Sequence, residues 1–536
     1  MPDLVLRSVR QPGDTTLSDL HITDGVITQI VPTTTTHAPT LDGRTVIPGL
    51  WDEHVHLTQW ALAGARFDLS AAVSAREALE LVRAQVAAPN TPLIGVRFRD
   101  AVWADLPTLR GLDDVTQGHP TALISHDLHC VWINSAAAEQ FGVHVDESGL
   151  LREQAAFDLT IALGQLPDAE VDALAAQAGS RAAARGVVGI VDFEMTWNRS
   201  VWQRRFLNGF DALRVEAGIY LADFDRAVAE RMHTGDRIAD TRGLLSVGPL
   251  KLLIDGSLNT RTAFCVDEYP VGGRGVLAVS EDELTEILVA ARGAGLLPAV
   301  HAIGDAANTV ALNAFERAAL RSRADHEEQA LGAAAAAAAA MSGRAAGQAS
   351  HEVPASQAAA RADRRGRERQ ASVRGRIEHA QFLQPADFAR FASLGVIASV
   401  QPEHALDDRD AVELNWSAGA DRVFALRSLL NAGATLAFGS DAPVAPLDPF
   451  TAMSAATSRA RSDGREPWRP DQVISRAEAL AASARARTRL QVGDVADIAI
   501  LDGDPLTVSD ATFERMPVAA TLLAGRATHG AALLAP

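Results

Sequence analysis

The chain of 536 residues is 47% hydrophobic and 22% charged, ordinary values for a globular protein that can hold a large α/β domain and a satellite. Its net charge of −18 disfavours nucleic acid and anionic membranes as partners. The 2 cysteines are too few for a disulfide framework or a cysteine-rich zinc site, and neither a secretory signal nor a long apolar run is visible. We therefore expect a cytoplasmic protein with no membrane and no nucleic acid partner.

Residues 1–48 contain short strand-like runs broken by Gly, Pro and Thr, with a hairpin signal in TDG at residues 23–25. Similar runs occur near the other end of the sequence, in ADIAILDGDP and AATLLAGRATHG. Because neither region shows a helical period, we expect residues 1–48 and 485–536 to form one composite β-sandwich domain.

The middle of the chain alternates apolar strand-like runs with helical stretches, which is typical of βα units around a parallel sheet. Eight such runs lie at residues 45–57, 187–195, 213–222, 247–257, 296–305, 375–382, 395–403 and 434–443. Eight units that close on themselves predict an α/β fold, a (β/α)8 TIM barrel over residues 49–484.

Two stretches are longer than the loops of a minimal barrel. Residues 66–180 separate the first two strands and contain strand-like pieces of their own, so we expect an inserted subdomain there. Residues 321–374 are rich in alanine and arginine and have no amphipathic stripe to bury. For these we expect a disordered, low-complexity insertion without chemistry.

Polar side chains fall at the carboxyl ends of five predicted strands, the face at which barrel enzymes build their active sites. They are His54 and His56 on strand 1, Lys251 on strand 4, His301 on strand 5, His379 on strand 6 and Asp441 on strand 8. Each alone could be an ordinary polar group, and an HxH pair alone is weak evidence for a metal. Four imidazoles and a carboxylate at one end of a barrel are, however, the ligands that a divalent ion such as zinc selects.

Lys251 is the only lysine among 49 basic residues, and it lies inside an apolar run. Chance in an arginine-biased sequence is one explanation. The other is a requirement for a primary amine, because a buried lysine can lose its proton whereas a guanidinium stays charged.

Seven motifs follow one another along the chain: PGLWDEHVH, LKLLIDGSLNTRTAF, VHAIGDAAN, RIEHAQ, ASVQPEHA, FGSDAPV and VGDVADIAILDGDP. This ordered series closely resembles the amidohydrolase superfamily, in the branch of large enzymes that includes N-substituted formamide deformylases. The resemblance covers nearly the whole chain except residues 321–374. It implies two divalent metal ions, with zinc favoured, bound by the six residues named above. It also implies that Lys251 takes up carbon dioxide to become a bridging carbamate, although some members use one metal and an unmodified lysine.

Four further residues are candidate substrate contacts. The stretch SHDLHCVWINS, residues 125–135, is similar to the family segment D-G-H-x-x-W-x-N-S. This similarity implies that His129, Trp132 and Asn134 cap the pocket; the alternative is a packed tryptophan among buried polar groups. Arg261 follows strand 4 at the barrel mouth, where the alternative to a substrate contact is a loop salt bridge.

The resemblance and the ligand set predict a metal-dependent hydrolase of a non-peptide C–N bond, of the amide or formamide type, with a small-molecule substrate. Metal-activated water would attack the carbonyl carbon, with Asp441 as proton shuttle. One alternative is a deaminase of a small ring amine, which is disfavoured because HAIGD lacks the glutamate of an HxxE pattern. A catalytically silent binding protein and an esterase or phosphotriesterase-like enzyme are the others. Whether the chain forms a homo-oligomer is left open.

Overall fold

The computed structural model describes residues 4–33, 41–86, 92–100, 103–164, 166–258, 260–270, 272–321, 375–415, 422–461 and 464–534. From residue 322 onward, the low-complexity segment predicted at 321–374 lies outside the described residues. No helix in the described ranges is both long enough and apolar enough to cross a membrane.

Eight parallel strands form the central sheet, and each lies beside the next one along the chain. Numbered through the whole chain, they are β5 (Leu50–Val55), β11 (Val187–Asp192), β12 (Arg214–Tyr220), β13 (Leu245–Leu253), β14 (Pro298–Ala302), β15 (Gly375–His379), β16 (Val396–Val400) and β17 (Leu436–Phe438). Main-chain hydrogen bonds just beyond β17 close the ring: the Asp441 N–H donates to His54 O (2.7 Å) and the His56 N–H to Ala442 O (2.9 Å). The predicted (β/α)8 barrel is therefore confirmed.

The barrel strands are buried on both faces, as near-continuous apolar runs require. Every residue of β5, β11 and β14 is buried, because helices pack around the outside of the sheet. These outer helices span Leu57–Ala63, Asp168–Ala183, Asn198–Leu207, Phe224–Ala229, Glu281–Gly293, 305–321, Phe388–Leu394, Leu426–Asn431, Pro449–Ser458 and Arg476–Ser483. Two further helices, His404–Asp407 and Arg409–Asn415, lie in the connection between β16 and β17.

A second sheet lies within the predicted insertion. Its five strands are β6 (Phe67–Asp68), β7 (Leu93–Phe98), β8 (Thr121–Ser125), β9 (Cys130–Ile133) and β10 (Leu150–Arg152), in the order β10-β9-β8-β7-β6. Its helices are Ala75–Gln85, Leu109–Thr116, Ser135–Phe141 and Gln154–Leu163. This sheet has its own buried core, and Trp132 is among the largest side chains in it.

Two further sheets are formed by the strands near the two ends of the sequence. One contains β1 (Leu4–Val9), β2 (Ser18–Thr23) and β3 (Val26–Pro32); the other contains β4 (Thr45–Pro48), β18 (Ile498–Leu501), β19 (Val518–Leu523) and β20 (Arg526–His529). Leu20 and Ile27 share one buried cluster with Ile498 and Leu522, so the two sheets have a common core. The domain boundaries at residues 48 and 485 stay a prediction.

The first predicted strand, residues 45–57, is two strands in the structure. The chain leaves β4 and enters β5 at Gly49, where a Cβ atom would clash with Val188 on the neighbouring barrel strand. A glycine is needed at this close approach, and it marks the passage from the composite sheet into the barrel. A helix Asp510–Glu514 follows β18.

Candidate metal centre

The six predicted metal ligands lie on the wall of one cavity of about 560 Å³. His54 lies in β5 and His56 directly follows it, whereas Asp441 comes three residues after β17. The remaining ligands lie in β13, β14 and β15: Lys251, His301 and His379. Because the parallel strands of a barrel all end at the same face, side chains that are distant in sequence meet there.

His54, His379 and Asp441 form a group able to bind a metal ion, which we call the ligand trio. Each offers one ligand atom, and these atoms all lie within 4.8 Å of one another. His54 Nε2 is 3.5 Å from Asp441 Oδ1. Among the described residues, the buried Nδ1 atom of His379 has no hydrogen-bond partner, as expected of a nitrogen in a ligand site. Two imidazoles and a carboxylate therefore fit a divalent transition-metal ion.

The other three predicted ligands border this trio. His56 Nε2 is 3.3 Å from Asp441 Oδ1, and Lys251 Nζ is 3.3 Å from His54 Nε2. The ring of His301 meets the ring of His379 edge to face, with centroids 4.5 Å apart. These side chains place further nitrogen donors beside the trio.

Burial keeps three of the imidazoles neutral. Burial, together with the charge of Lys251, lowers the pKa of His54 to about 4 and the pKa of His301 to about 3. Burial also holds the pKa of His379 well below its usual value. In His56 burial acts the same way, but the hydrogen bond and charge of Asp441 outweigh it and raise the pKa. A neutral imidazole has a free lone pair, which is the state that binds metal.

Lys251 loses its proton more easily than an ordinary lysine because its side chain is buried. The face of the Phe193 ring, 4.7 Å from Nζ, favours the charged ammonium and opposes this effect. Burial lowers the pKa of the Lys251 amine to about 8, against the opposing charges of Glu378 and Asp441. The neutral amine is the form that can react with carbon dioxide, so this environment suits the predicted carboxylation.

Sequence reasoning missed Glu378, the residue before His379. Its Oε2 atom is 2.6 Å from His54 Nδ1, and the carboxylate also accepts hydrogen bonds from Ser399 Oγ (2.7 Å) and Arg376 Nε (2.5 Å). Although burial opposes it, the charge of Arg376 holds the pKa of Glu378 well below its usual range. An ionised Glu378 makes Nδ1 the donor of His54, which leaves Nε2 free as a ligand. Two charged residues inside a barrel strand were the available signal.

His404 was also missed, although it follows β16 in QPEHA. Its ring stacks on that of His379, with centroids 6.1 Å apart and an interplanar angle of 16°. Its Nε2 atom is 4.0 Å from Asp441 Oδ2 and is buried with no hydrogen-bond partner among the described residues. A histidine just after the carboxyl end of a barrel strand was the signal that could have identified it.

Of the four predicted substrate contacts, His129 lines the cavity. It extends from the insertion, and its Nδ1 atom is 3.0 Å from Glu153 Oε2. Although burial lowers the pKa of His129, the hydrogen bond to Glu153 and nearby carboxylates raise it overall. The insertion thus places at the cavity an imidazole that is protonated more readily than an ordinary histidine.

Trp132, Asn134 and Arg261 are not among the described residues that line the cavity. Trp132 is fully buried in the insertion, and its Nε1–H donates to the Thr108 carbonyl. The side chain of Asn134 caps the helix Ser135–Phe141 by accepting a hydrogen bond from its first turn. Arg261 is exposed. The observed contacts of Trp132 and Asn134 stabilise the insertion.

The outer wall of the cavity is apolar. Four large side chains line it and are between 40% and 51% exposed: Ile161, Leu166, Met195 and Leu253. The two arginines of the wall, Arg204 and Arg205, are both paired with Asp172, each at 2.9 Å, and Arg204 is also paired with Asp168 at 2.6 Å. The wall therefore offers a bound molecule apolar surface, while its guanidinium charges are already compensated.

The sequence was compared with protein families and with known proteins. The family model described as the amidohydrolase family matches residues 40–353 and 322–529. The chain is 27% identical over 505 residues to the protein LONG AFTER FAR-RED 3 of Arabidopsis thaliana, covering 86% of this chain and 78% of that protein. It is 24% identical over 532 residues to the N-substituted formamide deformylase of Arthrobacter pascens, covering 90% and 88%.

Among solved structures, a metal-dependent hydrolase from Pyrococcus horikoshii OT3 has a TM-score of 0.70 at 20% identity, covering 95% of this chain and 99% of that one. At this identity the likeness shows that the two share a fold. The family match itself extends over most of the chain, on a barrel that brings metal-ligating side chains together. This chain thus belongs to the amidohydrolase family.

Proposed function

We propose that the chain hydrolyses the C–N bond of an uncharged amide or formamide that carries a large apolar group. The position of Asp441 is the observation that carries this proposal. Its Oδ1 atom faces His54 and His56, and Oδ2 lies toward His404 across the cavity wall. Although burial opposes it, the neighbouring histidines hold the pKa of Asp441 well below its usual value, so Asp441 is ionised, which is the form that can accept a proton.

The reaction follows from this carboxylate. As a water oxygen bonds to the carbonyl carbon, Asp441 accepts the proton that the water loses. The C–N bond then breaks, and Asp441 returns the proton to the leaving nitrogen. The products are a carboxylic acid and an amine.

We infer two divalent ions, with zinc favoured, because the six ligands exceed what one tetrahedral site needs. The ligand trio would hold one ion. The nitrogens of His56 and His301, together with a carboxylated Lys251, would hold the second. When bound, a divalent ion lowers the pKa of water and polarises a carbonyl oxygen.

The apolar wall supports the substrate class. A cavity of about 560 Å³ falls in the range that holds a drug-sized ligand, much larger than a formyl group. An apolar substituent that covers the apolar side chains of the outer wall would remove them from water, which would favour binding. The relative from Arthrobacter pascens carries the name N-substituted formamide deformylase, which agrees with this class.

A substrate panel tests the proposal on metal-loaded protein. It contains N-alkylformamides from methyl to hexyl, N-methylalkanamides of the same lengths, matched esters and ring amines. We expect kcat/KM to rise by up to about fourfold per added methylene in one of the two amide series. Asp441→Asn should abolish turnover while the protein keeps its circular dichroism spectrum. Turnover of the esters or ring amines alone would contradict the proposal.

A further inference from the structure

His404 differs from the other histidines that line the cavity. His54, His56, His126 and His129 each have a carboxylate partner at 3.5 Å or less, and His301 faces a carbonyl oxygen. His379 belongs to the ligand trio. The Nε2 atom of His404 is instead buried, with Asp441 Oδ2 4.0 Å away, too far for a hydrogen bond. A buried polar nitrogen without a partner costs stability, so its retention indicates a partner that the free protein lacks.

The residues around His404 indicate where this missing partner lies. The ring is held in place by its position after β16 and by stacking on His379. Its nitrogens do not join the group of atoms that the ligand trio forms among the described residues. The partner is therefore a group in the cavity, next to the carboxylate that moves the proton.

We propose that His404 is a catalytic residue that donates a hydrogen bond from Nε2–H to the carbonyl oxygen of the scissile bond. This role rests on the proposed amide hydrolysis. While the substrate carbonyl is neutral, the negative charge of the pair lies on Asp441. When water adds to the carbonyl carbon, Asp441 takes up a proton and becomes neutral, and the carbonyl oxygen becomes the anion. The charge thus moves to the oxygen that His404 contacts, so the hydrogen bond strengthens in the transition state.

Two substitutions separate this role from a structural one. His404→Phe keeps a ring of similar shape and removes the donor. His404→Gln replaces the imidazole by an amide that still offers an N–H. The matched control is His233→Gln, because His233 is exposed, paired with Asp236 and outside the cavity.

We expect His404→Phe to lower kcat on the best amide of the panel by about 100- to 1,000-fold, with KM changed by less than about threefold. His404→Gln should recover at least about tenfold of that loss, and His233→Gln should match wild type. Metal content, measured by elemental analysis, should stay unchanged in all three. A kcat of His404→Phe within about threefold of wild type, or a loss of metal, would overturn the assignment.

A binding measurement gives a readout that does not depend on turnover. N-benzyl methylphosphonamidate has tetrahedral, negatively charged oxygens, as the hydrolysis intermediate does. Calorimetry should show that His404→Phe weakens its binding by about 100-fold but leaves the binding of benzylamine unchanged. If wild type hydrolyses no amide and this difference persists, the proposed function fails while His404 stands as the anion donor. Equal weakening for both ligands would refute the donor role.

Discussion

The isolated lysine lies where an amine can interact with metal ligands, 3.3 Å from His54 Nε2. We predict that Lys251→Arg loses most bound metal, because a fixed positive charge at about 4 Å repels a cation by roughly 4 kcal/mol per unit charge pair at an effective dielectric near 20. Lys251→Ala should also lose metal, and added acetate or formate should restore part of it. Elemental analysis with and without the added acid is the measurement. Normal metal content in Lys251→Arg would mean that the amine is not needed.

The same lysine gives a pH dependence. Because burial lowers the pKa of Lys251 to about 8, the metal-free protein holds a protonated amine below that pH and a neutral amine above it. Only the neutral form reacts with carbon dioxide. We therefore expect the rate of reconstitution with zinc and bicarbonate, at fixed dissolved carbon dioxide, to rise about tenfold per pH unit below pH 8 and then level off. A rate independent of pH between 6 and 9 would contradict carboxylation as the limiting step.

Glu378 gives a prediction about metal affinity. Glu378→Gln keeps the size of the side chain but removes the charge that orients His54 through Nδ1. We expect about a 10- to 100-fold loss of metal affinity, measured by competition with a chromogenic chelator. Glu281→Gln is the control, since Glu281 bonds to Asn313 and Arg317 on the outer helices. Equal metal affinity in the two variants would show that the charge of Glu378 does not contribute to metal binding.

At the residue scale, the structure places the six predicted ligands on the wall of one cavity, and their binding of metal stays a prediction. The histidines and Asp441 could be predicted because each falls in a short motif at a strand end. The role of Glu378 could not be predicted, because it depends on the contact with His54, which comes from a distant part of the sequence. Trp132 was predicted to cap the pocket because its segment resembles the family pattern, but its side chain is buried in the core of the insertion and is not among the described residues that line the cavity.

Among the elements, the insertion and the barrel loop after β16 are joined by a buried charge. Asp407 accepts hydrogen bonds from Arg99 of the insertion (2.6 Å) and from Arg461 (2.9 Å), and its side chain is 7% exposed. Although burial opposes it, the His126 hydrogen bond and the arginine charges hold the pKa of Asp407 well below its usual value.

We predict that Asp407→Asn loosens the insertion, because the partly exposed guanidinium of Arg99 then loses its carboxylate partner on the barrel loop. Limited proteolysis should cut the insertion at least about fivefold faster than in wild type, if the loss is 1 kcal/mol or more. The matched control is Asp410→Asn, which removes the partner of Arg465 in a pair whose side chains are 54% and 41% exposed. Exposed pairs contribute little, so its cleavage rate should not change. Equal cleavage rates for the two variants would show that Asp407 does not hold the insertion to the barrel loop.

The strands themselves were predictable, because eight apolar runs separated by helical stretches have few other solutions. Their ends were less so. The run at residues 434–443 contains a strand of only three residues, Leu436–Phe438, and the rest is the loop that carries Asp441. A sequence pattern cannot separate these, since loop and strand residues are equally buried here.

In the whole molecule, Arg485 ties the C-terminal region to the barrel. Its guanidinium bonds Glu53 and Glu216, each at 2.6 Å, and stacks on the ring of Trp51. Arg485→Met should lower the free energy of unfolding by about 3 kcal/mol, since Glu53 is left buried with less compensation. Urea denaturation is the measurement. Arg489→Met, which breaks a more exposed pair with Asp14, should cost less than about 1 kcal/mol. Similar losses for both would contradict the special role of Arg485.

The last feature is the seam at which the barrel closes. Its main-chain hydrogen bonds join His54 to Asp441 and His56 to Ala442, so candidate metal ligands lie on both sides of it. We predict that release of an ion bound by ligands on both edges of the seam requires those edges to separate. Metal release should therefore be slow, with a residence time set by this local opening. Extraction by a chelator should proceed at a rate that does not depend on chelator concentration, and low urea should accelerate it well before the protein unfolds.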